Sequence, residues 1–293
     1  MNLICRLRPD IDLRLHHNHH RRISLQNLRG VIGLCELLGF CFNRKVKPSF
    51  SLRGFRMRSE DNPHGWGLAF YPDESVQVYK EPCPSKESPL SQFLENYEPI
   101  GSRIIISHIR RISRGEESHR NTHPFQREWN GRDYVFAHNG TLYIDNPEGG
   151  RYKPVGTTDS EIAFCHIMNR ISEEGVKFRD DEDYKWLWSV MNDINGYGDF
   201  NCLLSDGKHL FSYHDIEGYK GLYQLHRKAP YGPVELLDDD YQIDLAHEKK
   251  PDQEGYIIAS RPLTSEKWEV FIPGELRVYR DGKLIFRVSE ESI

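Results

Sequence analysis

The chain has 293 residues, 38 % of them hydrophobic, and a formal net charge of −5, with 39 Lys and Arg interspersed among 44 Asp and Glu. That length supports one substantial core, and the mixed charge lacks the basic footprint of a nucleic-acid binder. Six cysteines without a CxxC pair fit a reducing, cytoplasmic compartment, while the absence of a long apolar run predicts neither a secretory signal nor a membrane span.

Residues 1–34 differ from the rest. They carry Arg6, Arg8, Arg14, Arg21, Arg22 and Arg29, the run His16-His17-Asn18-His19-His20, and no sustained strand or helix period. This segment reads as an appended, disordered leader ahead of one main domain over 35–293. Its histidines are assigned no metal, because a metal site needs ligands fixed in space. Cys35 follows in the mostly apolar run Gly33-Leu34-Cys35-Glu36-Leu37-Leu38-Gly39, which by itself suggests a buried structural cysteine.

From there the chain reads as mixed β and α. Residues 104–107 and 134–137 are short apolar runs of strand length, each emptying into a polar cluster: Ser107-His108-Ile109-Arg110 and His138-Asn139-Gly140. Thr158-Asp159-Ser160-Glu161 has the form of a capping box before the apolar segment 162–171, so a helix is predicted there. A second helix is predicted over 184–194, with Trp186 and Trp188 assigned to packing. Segments 200–204 and 209–214 flank Asp206-Gly207, and 276–280 and 283–288 flank Asp281-Gly282. Each pair predicts a β-hairpin and therefore antiparallel sheet. No glycine-rich phosphate loop is present, so nucleotide chemistry and a cofactor have no support.

The polar clusters each have two readings. Arg110 after a strand can form an ordinary surface ion pair, or its planar fork can take a substrate carboxylate. Asn139-Gly140 can be a type I′ turn leading into a strand over 141–144, or an amide and a glycine N–H in succession can stabilise an oxyanion. Asp159 suits the first turn of any helix, and it would equally hold an ammonium group. His108, His123 and His138 invite a zinc triad. Beside strand ends and a proline, however, imidazoles more commonly orient neighbouring loops, and they are assigned that supporting role.

Taken together, Cys35-Glu36-Leu37-Leu38-Gly39, the stretch from Asn62 to Tyr71, His108-Ile109-Arg110, Asn121-Thr122-His123-Pro124-Phe125, His138-Asn139-Gly140 and Thr158-Asp159-Ser160-Glu161 resemble the class II glutamine amidotransferases. The likeness continues through Leu203-Leu204-Ser205-Asp206-Gly207, Arg227-Lys228-Ala229-Pro230, Pro262-Leu263-Thr264 and Pro273-Gly274-Glu275. Within that family the chain looks most like the small stand-alone branch. The resemblance implies the N-terminal-nucleophile hydrolase fold, an α+β four-layer αββα sandwich of two antiparallel sheets. It implies Cys35 as nucleophile, Asn139 and Gly140 as oxyanion donors, Arg110 and Ser113 on the substrate α-carboxylate, and Asp159 on its α-ammonium. No cofactor is implied, and any ammonia acceptor or peptidase partner would be a separate protein.

In this family the nucleophile must be the first residue, since its free α-amine acts as the base. Met is expected just before it, yet Leu34 stands there. The expectation is therefore that residues 1–34 are either a mis-assigned start or a propeptide. Besides glutamine, the substrate can be a γ-glutamyl peptide or conjugate. Competing readings are a metal-dependent hydrolase built on the three histidines and a non-catalytic γ-glutamyl-binding module.

Overall fold

The computed structural model describes residues 35–97 and 99–290, and the leader expected over 1–34 lies outside them. The chain runs through β1 (Glu36–Val46), α1 (Ser49–Met57), β2 (Trp66–Phe70), β3 (Gln77–Glu81), α2 (Pro89–Asn96), β4 (Ser102–Ile109), β5 (Phe125–Trp129) and β6 (Arg132–Asn139). Two longer helices follow, α3 (Asp159–Glu174) and α4 (Asp181–Asn195), then β7 (Asn201–Ser205), β8 (His209–Tyr213) and β9 (Tyr223–Arg227). The last part holds β10 (Pro233–Glu235), β11 (Gln242–Asp244), α5 (Leu245–Glu248), β12 (Gly255–Ala259), β13 (Glu269–Val270), β14 (Leu276–Arg280) and β15 (Lys283–Val288).

These strands form a seven-stranded sheet in the order β13-β9-β12-β1-β4-β2-β3 and a six-stranded sheet in the order β15-β14-β8-β7-β6-β5, with β10-β11 as a separate pair. The two large sheets are antiparallel throughout.

The period-2 alternation of side chains sets the layers. On β1, Leu38, Phe40 and Phe42 join Leu52 and Phe55 of α1 and Leu94 of α2. Leu37 and Cys41 point the other way and meet Val135, Ala137, Leu203 and Leu210 of the second sheet. On that sheet Phe136, Cys202, Leu204, Phe211 and Tyr213 face α3 and α4. The result is the expected αββα sandwich, with an apolar seam between two sheets whose central strands are buried on both faces.

The local expectations are met with two adjustments. Thr158 Oγ1 caps α3 by accepting from Glu161 N at 3.2 Å. The reciprocal half of the capping box is replaced: the Glu161 carboxylate takes the N–H groups of Val155 and Gly156 at 3.1 and 2.6 Å and the Arg127 guanidinium at 2.6 Å. It therefore ties the preceding loop to the helix instead of closing back on Thr158. α4 starts earlier than its apolar face suggests, because Asp180 accepts from Asp183 N and supplies a cap ahead of it. Trp186 and Trp188 pack at the border of the core, and Trp188 Nε1 donates to Gly274 O at 2.8 Å. In the β14–β15 hairpin, Asp281 and Gly282 both take positive φ, 48° and 75°, as a two-residue type I′ turn requires. Among the described residues no helix is long and apolar enough to cross a membrane.

Gly67 on β2 lies under the loop that carries His123. A Cβ there would lie 2.1 Å from the His123 carbonyl oxygen, a severe clash with backbone that cannot swing aside. Gly67→Ala is expected to lose roughly 3 kcal/mol of stability, read as a lower urea midpoint. A midpoint equal to that of the parent chain would mean that the loop yields freely.

Candidate active site

The register of β1 against β4 fixes the first element of the site. Glu36 pairs with Ile109, so Cys35 lies level with Arg110 just beyond the strand end. Its Sγ donates to Arg111 O and accepts from Arg111 N, both at 3.1 Å. The Cys35 carbonyl accepts from Asn139 Nδ2 at 2.6 Å and from Lys220 Nζ at 3.1 Å. Burial pushes the thiol pKa up, partly offset by the Arg111 N–H and by the charges of Lys220 and Arg110. A thiol held this way is protonated at neutral pH and needs a base before it can attack.

Asn139 ends β6, opposite Asn201 of β7. Its orientation is set by His108, whose Nε2 lies 3.1 Å from both Asn139 Oδ1 and His138 O. Both partners are acceptors once Nδ2 of the same amide donates to Cys35, so the assigned tautomer carries its proton on Nε2. Burial, reinforced by the Arg110 charge, lowers the His108 pKa to about 3 and keeps the ring neutral. A chain of bonds therefore runs from His108 through the Asn139 amide to the Cys35 carbonyl.

Gly140 has φ +149°, and a Cβ there would strike the Asp199 carbonyl. β6 has β5 and β7 as its neighbours, and Leu142 makes only an isolated bridge to Gly198. The hairpin alternative for Asn139-Gly140 is thereby overturned: no strand over 141–144 folds back on β6.

The other two histidines pack and orient. His123 packs against His108 with ring centroids 4.1 Å apart and planes tilted by 33°, and burial holds its pKa well below the usual range. His138 Nδ1 meets Ser160 Oγ at 2.9 Å, and its Nε2 meets Asp199 O at 3.1 Å. Among the described residues no group of three His, Cys, Asp or Glu side chains could hold a metal ion.

Arg110 is buried, contrary to the surface ion-pair reading. Two of its donors hold the loop that follows, binding Arg114 O at 3.0 Å and Glu116 O at 3.1 Å. Asn121 braces the same loop, donating to Glu116 O at 3.1 Å and accepting from Thr157 N at 2.8 Å. Asp159, the first residue of α3, accepts from Ser160 N at 3.0 Å and from Leu142 N at 2.7 Å, so it joins the helix to the segment after Gly140. Burial lowers the Arg110 pKa, partly offset by the nearby Glu117 and Asp159 carboxylates. Cys35, His108, Arg110, Asn139, Gly140 and Asp159 are thus drawn together, whereas Ser113 is exposed in the loop beyond Arg110.

Two further residues belong to the surroundings of Cys35. Glu36 is buried and accepts from Ser260 Oγ at 2.9 Å, Arg58 NH1 at 3.1 Å and Arg261 Nε at 3.2 Å. The one sign of it in the sequence is a charged residue inside an apolar run. Lys220 sits in a polar loop between Tyr219 and Gly221, and the sequence offers no signal for it.

The buried neutral rings carry a pH consequence. Burial lowers His108 to about 3 and His214 to about 4, against about 6.5 in an unfolded chain. Below pH 6.5 the unfolded chain binds protons that the folded chain refuses. Stability is therefore complete above that pH and declines as pH falls toward the folded values, by about 1.4 kcal/mol per unit for each such ring. Urea titrations at pH 7 and pH 5 should differ accordingly, and the difference should shrink in His214→Gln. An unchanged difference in that variant would show that His214 takes up its proton without unfolding.

The family described as glutamine amidotransferases class-II matches residues 34–293. The uncharacterized protein MJ1515 of Methanocaldococcus jannaschii is 46 % identical over 254 residues, which covers 86 % of this chain and 71 % of that protein. YafJ of Escherichia coli K12, named as a candidate glutamine amidotransferase, is 36 % identical over 259 residues, with 86 % and 100 % covered. The crystal structure of a predicted glutamine amidotransferase from Pseudomonas aeruginosa PA01 superposes with a TM-score of 0.65 at 30 % identity, covering 86 % of this chain and 100 % of that one. The glutamine phosphoribosylpyrophosphate amidotransferase of B. subtilis, at 15 % identity and a TM-score of 0.56, shares the fold over 84 % of this chain and 47 % of its own. With nearly all of its length behind Leu34 matched, the chain belongs to the class II glutamine amidotransferases.

Proposed function

We propose that this protein hydrolyses a γ-glutamyl amide, either glutamine or a γ-glutamyl peptide or conjugate, through a thioester on Cys35, in an enzyme that begins at that residue. The observation that carries this reading is the 2.6 Å bond from Asn139 Nδ2 to the Cys35 carbonyl. It joins the two sheets at one point, beside buried Arg110 and Asp159.

In this reading the Cys35 α-amine, with a reference pKa of about 7.7–8.0, takes the thiol proton as sulfur adds to the γ-carbonyl carbon. Negative charge gathers on the carbonyl oxygen, where the Asn139 amide and the Gly140 N–H stabilise it. The tetrahedral adduct collapses, the amide nitrogen leaves with the proton held by the α-amine, and a γ-glutamyl thioester remains. Water then adds to the thioester, giving its proton to the amine, and the departing sulfur recovers that proton. The unspent donors of Arg110 suit the substrate α-carboxylate, and the remaining lone pairs of Asp159 suit its α-ammonium. Release of ammonia to an acceptor, or of an amino acid from a peptide, would involve a separate partner. The reducing cytoplasm fits the five described cysteines, all of which are free thiols.

Asn139→Ala is expected to lower kcat roughly a hundredfold with the fold retained, because an oxyanion donor acts in the transition state. Arg110→Ala and Asp159→Ala should chiefly raise KM for glutamine or a γ-glutamyl anilide. Wild-type kcat/KM in any of the three removes that residue from its assigned role.

The same reading requires that the uncleaved 293-residue chain be nearly inactive, since a peptide nitrogen at Cys35 has no basic lone pair. Expression from a Met placed directly before Cys35 should yield an active enzyme that an electrophilic glutamine analogue labels on Cys35. Intact mass and glutamate release compare the two, with Cys35→Ala as blank. Equal activity from a verified uncleaved chain would rule out the α-amine as base.

A further inference from the structure

Lys220 sits in a turn beside Cys35 and donates to its carbonyl. Its backbone has φ +58°, a left-handed conformation that is uncommon outside glycine, and Gly221 follows at the same φ. The turn that carries it is built on Asp215, whose Oδ1 accepts from Glu217 N at 2.9 Å and Tyr219 N at 3.0 Å. The other carboxylate oxygen accepts from Asn195 Nδ2 at 2.8 Å and Phe200 N at 2.7 Å. Asn201, opposite Asn139 across the β6–β7 ladder, donates to Tyr219 O at 2.6 Å. A buried carboxylate and the ladder beside the site thus aim a lysine at the Cys35 carbonyl, 3.1 Å away. Backbone strain maintained by its surroundings is a pointer to function.

We infer that Lys220 is a positioning residue for the nucleophile, its ammonium gripping the Cys35 carbonyl together with Asn139 and setting a positive charge against the thiol. This rests on the reading of Cys35 as the nucleophile. Two donors on one carbonyl fix the rotation of the residue whose thiol, and in the mature enzyme whose amine, must meet the substrate. The charge favours the thiolate over the thiol, and it opposes protonation of an α-amine at the same residue, which must stay neutral to act as a base. The groups that face this cluster are Glu36 on β1, Arg110 and Arg111 beyond β4, and Arg261 after β12. Glu36 is already bonded to Arg58, Arg261 and Ser260, which leaves Lys220 directed at Cys35. Burial lowers the lysine pKa to about 8, so its charge is complete near pH 7 and fades above about 8.

The test needs neither substrate nor cleavage. Iodoacetamide alkylation of Cys35 is followed by site-resolved mass spectrometry in the full chain, because the thiol and Lys220 are both present there. Lys220→Gln retains a donor and removes the charge, Lys220→Met removes both, and Lys220→Arg retains both. Near pH 7 the Gln and Met variants should react about tenfold more slowly than wild type, corresponding to about one unit in the thiol pKa. Their rates should converge with wild type above about pH 9, where the lysine is neutral. Lys220→Arg should keep the fast rate at pH 7. Equal rates near pH 7, or a loss of the same size at every pH as a packing defect would give, overturns the inference. Because alkylation does not require turnover, failure of the proposed hydrolysis would leave this result interpretable.

Discussion

The antiparallel pairing of β1 with β4 is the constraint on which the rest of the site depends. It places Cys35 level with Arg110 and puts the thiol between two backbone groups of Arg111. A slip of one residue would exchange the two faces of β1. Leu38, Phe40 and Phe42 would then leave the helices for the seam between the sheets, and Leu37 and Cys41 would take their place. Because both faces are buried, the whole core opposes that slip. The position of Cys35 is therefore secured by the packing of apolar residues along both faces of β1.

Buried charge near Cys35 is managed by saturation rather than by avoidance. Arg58 bridges Glu36 and Asp238 while also binding the carbonyls of Arg261 and Pro262. Taking such groups out of water is expensive unless each donor and acceptor is satisfied. Here the network clamps Glu36, the first residue of β1. The histidines follow another solution: buried at neutral charge, they serve as shaped donors and packing surfaces. His108 gains most from this, since only the neutral Nε2–H form gives Asn139 its single orientation.

The site therefore contains two kinds of preorganisation. Asn139 is oriented by a neutral ring and held to the ends of two paired strands, a rigid frame suited to directing donors. Arg110 is wrapped by its own following loop, with Asn121 stitching that loop to the segment ahead of α3. The first arrangement belongs to the sheets and the second to loops, so the two side chains are held by different parts of the fold.

Local chemistry was legible in the sequence. Asp281-Gly282 specifies a type I′ hairpin because few dipeptides tolerate two positive φ values, and Thr158 announces α3 because its hydroxyl satisfies an N–H only a few residues away. The polar clusters after residues 107 and 137 likewise stand out as strand ends, and the resemblance they carry gave the family and the layered fold. What the sequence could not decide was every relation made across long separations: Asn139 reaches Cys35 over 104 residues and Lys220 over 185. The choice between a turn and a donor at Asn139, the burial of Arg110, the exposure of Ser113 and the second bond of Glu161 all waited on which strands became neighbours. The physical reason is that propensity and capping act within a few residues, whereas strand order, burial and the direction of a side chain are settled only when the two sheets close on their common seam.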